Sequence, residues 1–172
     1  ETFNVKANST LYYHSFVELI GLNPAMSKAV FENGMNLLRE LKEYNLNGSL
    51  TPHAPYSVSL ELIKQLSDEA KKNGASLSIH NQESIAEQNF LEGKPGEVDE
   101  LYTFLGLDIT WYNPPGKAGL RYLADLMSGS KNIFVHNTFS TKEDVEIGQR
   151  GINYWCFCPN ANFYIEKKLP NY

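Results

Sequence analysis

His80 and Glu83 stand three residues apart in Ser78-Ile79-His80-Asn81-Gln82-Glu83-Ser84, an H-x-x-E spacing at the end of an alternating segment. A histidine placed there can ligate a metal ion, while the carboxylate three residues on curls back toward the same point. That pairing suits chemistry on water, because an ion lowers the water's pKa and a neighbouring carboxylate shuttles its proton. Alone, the spacing also has a plain structural reading: a strand-terminal histidine satisfied by backbone, with Glu83 favoured by the dipole of the next helix. His53 and His136 carry the same plain reading, as polar residues that close strands. Three histidines at three strand ends weigh more together, since imidazole is the commonest metal ligand among side chains and a good partner for an activated water. Glu18 shares the parity of His14 and, nearer its strand's end, reaches toward the same rim; His14 itself reads as structural.

The elements that must position these residues follow from periodicity. Residues 11–20 form a β-rich run closed by Gly21, and Asn23-Pro24 reads as a helix cap with proline at the first helical position. Val30, Met35, Leu38, Leu41 and Tyr44 then recur at helical intervals until Asn47-Gly48. A short strand over 49–53 leads to a helix capped by Ser59, with Glu61 in its first turn, an apolar face of Leu62, Ile63, Leu66 and Ala70, and Gly74 as its stop. Ala75, Leu77 and Ile79 alternate with Ser76, Ser78 and His80; residues 132–137 behave similarly, and 152–157 make a last strand. Helices are expected over 84–91 and 97–105, near 120–127, and after a cap at Ser140 or Thr141.

Strands alternating with helices imply βαβ units, a parallel sheet and an α/β fold, with ligands bound at the carboxyl ends of the strands. The alternation over 75–80 asks for a polar lumen and an apolar helix ring, as in a barrel; an open doubly wound sheet would want both faces apolar. Five strands are countable, whereas a complete barrel has eight strands and about 250 residues. The expectation is therefore a partial (β/α)8 TIM-type barrel, its middle strands, as a single domain over residues 1–172.

Composition narrows the function classes. A chain of 172 residues that is 42% hydrophobic and 20% charged is globular, and its formal net charge of −5 argues against a nucleic-acid partner. No stretch approaches the roughly 18 apolar residues of a membrane span. Cys156 and Cys158, the two cysteines, cannot staple distant parts of the chain; they are expected in the core of a buried strand, and a reducing, cytoplasmic setting fits. The phosphate-binding, dinucleotide-binding, H-E-x-x-H and G-x-S-x-G signatures are absent.

Four segments taken together, Thr51-Pro52-His53-Ala54-Pro55-Tyr56-Ser57, Ser78 to Ser84, Phe134-Val135-His136-Asn137-Thr138 and Cys158-Pro159-Asn160-Ala161-Asn162, resemble the amidohydrolase superfamily in its branch of cytosine, guanine and adenosine-type deaminases and triazine chlorohydrolases. The resemblance covers the chain from about Leu11 to its C-terminus. It implies that His80 is a metal ligand on the fifth barrel strand, with Zn2+ or Fe2+ as cofactor, and that Glu83 is the acid–base. It implies that His136, on the sixth strand, helps hold the activated water, that His53 contacts the substrate, and that Asn160 or Asn162 shapes the pocket. The superfamily's H-x-H pair and its late aspartate are not found in these residues, so this chain by itself should bind the metal weakly and turn over little. The expected activity is hydrolysis or deamination at a C–N bond, or displacement of another leaving group, in a small heterocyclic substrate. A barrel-derived binding or assembly module that has lost its metal site is the alternative, and a metal-independent lyase or aldolase a weaker one. Unpartnered sheet edges are expected to make the chain a homo-oligomer.

Overall fold

The computed structural model describes residues 2–171, and among them five strands run parallel. They are β1 (His14–Leu19), β2 (Asn47–Pro52), β3 (Ser76–Asn81), β4 (Lys131–His136) and β5 (Ile152–Cys156). The helices are α1 (Phe3–Ala7), α2 (Ser27–Glu43, entered by a 3-10 turn over Pro24–Met26), α3 (Leu60–Asn73), α4 (Ile85–Leu91), α5 (Glu97–Phe104), α6 (Leu120–Leu126), α7 (Lys142–Gly148) and α8 (Pro159–Glu166). Local chemistry sets these boundaries. The Asn23 side chain accepts from Ala25 N–H beside Pro24, the Ser59 hydroxyl accepts from Leu62 N–H, and Gly74 ends α3 in the left-handed region at φ 63°.

β1 pairs with β2 from His14 opposite Asn47 to Leu19 opposite Pro52. A second ladder joins β3 to β4 and β4 to β5. The two ladders meet at β2 and β3 through side chains: Thr51 Oγ1 accepts from Ser78 N–H at 2.6 Å and donates to Ser78 O, and Ser49 Oγ donates to Ser76 O at 2.8 Å. Just past β2, His53 O accepts from His80 N–H at 2.9 Å. The result is an open arc in the order β1 to β5, the expected partial barrel without closure.

Leu77 and Ile79 are fully buried with Leu62, Ile63, Leu66, Leu123 and Phe134, whereas Ser76, Ser78 and His80 are half-buried on the opposite face. The helix side of the arc is thus the core and the other side the polar lumen, as the period-two pattern requires. A smaller cluster of Leu22, Phe90 and Val98, with Tyr56, Tyr102 and Tyr112 against it, packs beyond the strand ends. Two expectations need correction. Cys156 is exposed and Cys158 half-buried, because β5 is an edge strand among the described residues and buries neither face fully. β1 begins at His14, while Leu11 and Tyr12 remain exposed before it. No helix among the described residues is long and apolar enough to cross a membrane.

Candidate active site

The carboxyl ends of the strands gather Glu18 from β1, His53 just after β2, His80 from β3, Glu83 in the following loop, and His136 at the end of β4. Parallel strands in register make this inevitable: Glu18 lies opposite Thr51, His80 opposite Val135, and Asn81 opposite His136. His80 Nδ1 lies 3.1 Å from His136 Nε2, and its Nε2 lies 3.3 Å from Glu18 Oε1. Glu83 Oε1 approaches His136 Nε2 at 3.2 Å. The rings of His53 and His80 are 5.1 Å apart, as are those of His80 and His136 to within a tenth of an ångström, at 5.2 Å. Two groups of three ligand-type atoms, Glu18/His53/His80 and His80/Glu83/His136, each lie within 4.8 Å of one another and share His80.

Neighbouring polar groups assign the proton on two of these rings. The Asn162 side chain is fully buried; its amide nitrogen donates to His136 O at 3.2 Å, so its Oδ1, 2.8 Å from His136 Nδ1, must accept from that nitrogen. In the neutral ring His136 Nε2 is then the unprotonated nitrogen, and it faces His80 and Glu83. Ser57 Oγ donates to Ala54 O and lies 2.6 Å from His53 Nδ1, so it accepts from Nδ1–H and leaves Nε2 as the free acceptor of His53. Burial lowers the His53 pKa, as does the positive charge of a protonated His80, against the opposing pull of Glu18 and Glu83. The net direction favours the neutral ring. Its neighbour Tyr56, ring centroids 5.8 Å away, has a pKa pushed up to about 12 by burial and then by Glu83 and Glu87.

The strand ends are held by polar groups that hydrophobic patterning does not reveal. Asn81 Nδ2 donates to Asn137 Oδ1 at 3.0 Å, and Asn137 Nδ2 donates to Phe134 O at 2.8 Å, both side chains being buried. Gln82, His136 and Asn137 adopt φ of 50°, 74° and 57°, left-handed values that non-glycine residues hold only where surroundings impose them. Such outliers concentrate at functional sites, here at the ends of β3 and β4.

His53, His80, Glu83 and His136 are brought together. Asn160 is exposed in the first turn of α8, and the asparagine on His136 is Asn162, two residues along the helix. Glu18, weighed only by strand parity, joins the mouth, and His14 instead meets Ser49 Oγ at 3.1 Å, away from it. The buried Glu87 is signalled in the sequence only by the S-x-x-E spacing of Ser84-Ile85-Ala86-Glu87, which marks a helix start.

An arc of parallel strands with imidazoles and carboxylates converging at its carboxyl edge defines a barrel-type, strand-end site of the kind that handles water and divalent ions. The chain belongs to the amidohydrolase family, whose model matches residues 12–172. It is 28% identical over 141 residues to an adenosine deaminase of Helicobacter pylori, covering 81% of this chain and 34% of that protein. In structure it is similar to the aminofutalosine deaminase of the same organism, with a TM-score of 0.81 and 26% identity over 98% of this chain and 42% of the other. A zinc-bound adenosine deaminase from Xanthomonas campestris shares the fold at a TM-score of 0.67 and 15% identity, over 98% of this chain and 34% of the other. The chain therefore spans about a third to two fifths of the length of these relatives.

Proposed function

We propose that these residues serve a metal-dependent hydrolytic deaminase acting on an exocyclic amine of a small heterocycle, with a 6-aminopurine nucleoside as the favoured substrate class. The contact of Glu83 with His136, beside His80, carries this reading: an acid and two imidazoles at one strand-end mouth are the parts that adding water to a ring carbon requires. The named activities of the relatives support the substrate class.

The nitrogen and carboxylate donors at the mouth fit a zinc or iron ion, which His80 would help hold together with ligands outside this donor set. When bound, the ion lowers the pKa of water and stabilises charge developing on the attacking oxygen. Glu83 takes a proton from the attacking water and gives it to the ring nitrogen next to the attacked carbon. It then moves the proton of the newly added hydroxyl to the departing amine, so that the new C–O bond becomes a carbonyl, the C–N bond breaks and ammonia leaves. His136, fixed by Asn162 with Nε2 inward, holds the water's position. His53, neutral with Nε2 free, accepts from a substrate N–H or O–H. A binding module has no use for a proton carrier kept against an imidazole. We also infer that the chain self-associates through its sheet edges.

The test is ammonia release from the zinc-loaded protein at its full natural length, since these 172 residues alone are expected to turn over little, given adenosine, 5′-deoxyadenosine, cytosine and guanine in parallel. Glu83→Gln should lower turnover by about 10²- to 10⁴-fold, the range for a lost general acid–base, with substrate binding retained. No ammonia from any of these rings, or undiminished turnover in Glu83→Gln, would overturn the reading.

A further inference from the structure

We propose that Glu87 is a positioning residue: its buried carboxyl group grips the backbone of Gln82 and Glu83 and so sets where the Glu83 side chain meets His136. This rests on Glu83 being the proton carrier. Glu87 is 0% exposed, at the start of α4. Its Oε1 accepts from Gln82 N–H at 2.8 Å and its Oε2 from Glu83 N–H at 3.0 Å. In an ordinary capping box the glutamate returns to the N–H of the cap residue, here Ser84, whose hydroxyl accepts from Glu87 N–H at 3.1 Å. Glu87 instead reaches one and two residues further back, past the helix start and into the loop that carries the reacting group.

That loop needs an anchor. Gln82 sits at φ 50°, a left-handed conformation that a side-chain-bearing residue holds only where its surroundings impose it. From the other side, the Gln82 amide donates to Asp144 Oδ2 at 3.3 Å, and Ser140 Oγ donates to Gln82 Oε1. Glu83 thus hangs from a turn fixed on one flank by side chains of the β4–α7 region and on the other by Glu87. Only a carboxyl group presents two oxygens that can both accept from adjacent N–H groups, whether or not one of them also carries a proton; a glutamine would turn its own NH2 against one of them. Burying a carboxyl group is expensive, and merely starting a helix does not require it, since Ser84 already does so.

The experiment compares Glu87→Gln, Glu83→Gln and the double variant, with Glu87→Asp as a second probe of reach should Glu87→Gln not fold. Glu87→Gln should lower kcat about 10- to 100-fold, as loss of a group orienting a reacting residue does, and leave KM within about twofold. In the Glu83→Gln background the same change should cost less than about twofold, because the group it positions is gone. Equal losses in both backgrounds would overturn the proposal, since a purely structural defect multiplies regardless of Glu83. Independently of any turnover, the backbone amide resonances of Gln82 and Glu83 should shift in Glu87→Gln and in Glu87→Asp while those of α7 stay in place. Unshifted amides in a folded variant would overturn the positioning role. Absence of ammonia release from the unaltered protein at its full natural length would defeat the deaminase reading and leave the amide measurement to decide this one.

Discussion

At His136 the tautomer is decided from behind: the Asn162 amide is committed by its bond to His136 O, so the ring has no choice about which nitrogen carries hydrogen toward Asn162. Neither asparagine in the Asn160-Ala161-Asn162 run declares this in the sequence, because the choice between them is made by helical pitch once Pro159 has started α8. Glu87 was hidden for a related reason. A glutamate in the first turn of a helix ordinarily points to solvent and serves the dipole, and only the packed structure shows it enclosed. Enclosure pushes its pKa up to about 8, two backbone N–H bonds recovering only part of the shift and the charge of Glu83 adding to it. The sign follows directly. Between its ordinary value of 4.5 and about 8 the folded protein keeps a proton that the unfolded chain has lost, so this group's contribution to stability falls as pH rises through that window. Denaturant unfolding at pH 5 and pH 8 should show the decline, at most about 1.4 kcal/mol per pH unit from one group, and Glu87→Gln should flatten it.

Among the elements, those announced by punctuation were legible: Asn23-Pro24, Ser59 and Gly74 mark helix ends where the structure has them, and the alternation from Ala75 to His80 correctly assigned a polar lumen and an apolar back. The cysteines misled because alternation reports two faces and does not report whether a strand has a neighbour on both sides. β5 has one only among the described residues, and Cys156 is exposed in consequence. The joint between α6 and α7 was equally invisible. There the Asp144 carboxylate accepts from Leu120 N–H at 3.1 Å, and Gly119 passes so close that a Cβ would lie 2.5 Å from Gln82 Nε2 and 2.8 Å from Asp144 Oδ1. Gly119 also has φ +61°, whereas Gly116, at φ +72°, has nothing within 4 Å of the corresponding position. Gly116→Ala should cost about 1 kcal/mol for backbone conformation alone, and Gly119→Ala a further 1–3 kcal/mol for the collision. Urea unfolding of the two variants separates these contributions; equal losses would mean that the Gln82–Asp144 contact yields freely.

At the largest scale, the arc of described residues ends in β1 and β5, whose outer edges have no strand partner among those residues and lie beside exposed Phe16, Ile152 and Tyr154. Such edges invite pairing with another chain. Sedimentation velocity should show association that grows with concentration, and Tyr154→Lys should shift the protein toward monomer; a monomer at every concentration would count against pairing through β5. The middle of the arc has a different character. Where β2 meets β3, one threonine hydroxyl stands in for a backbone rung, with Glu18 and His53 on one bank and His80, Glu83 and His136 on the other. Slackening that stitch would leave each bank's internal spacing intact while widening the gap across it. The breadth of aperture offered to a flat ring therefore depends on Thr51 together with the Ser49 hydroxyl and the backbone bond from His80 to His53, links made by no side chain that would react with it.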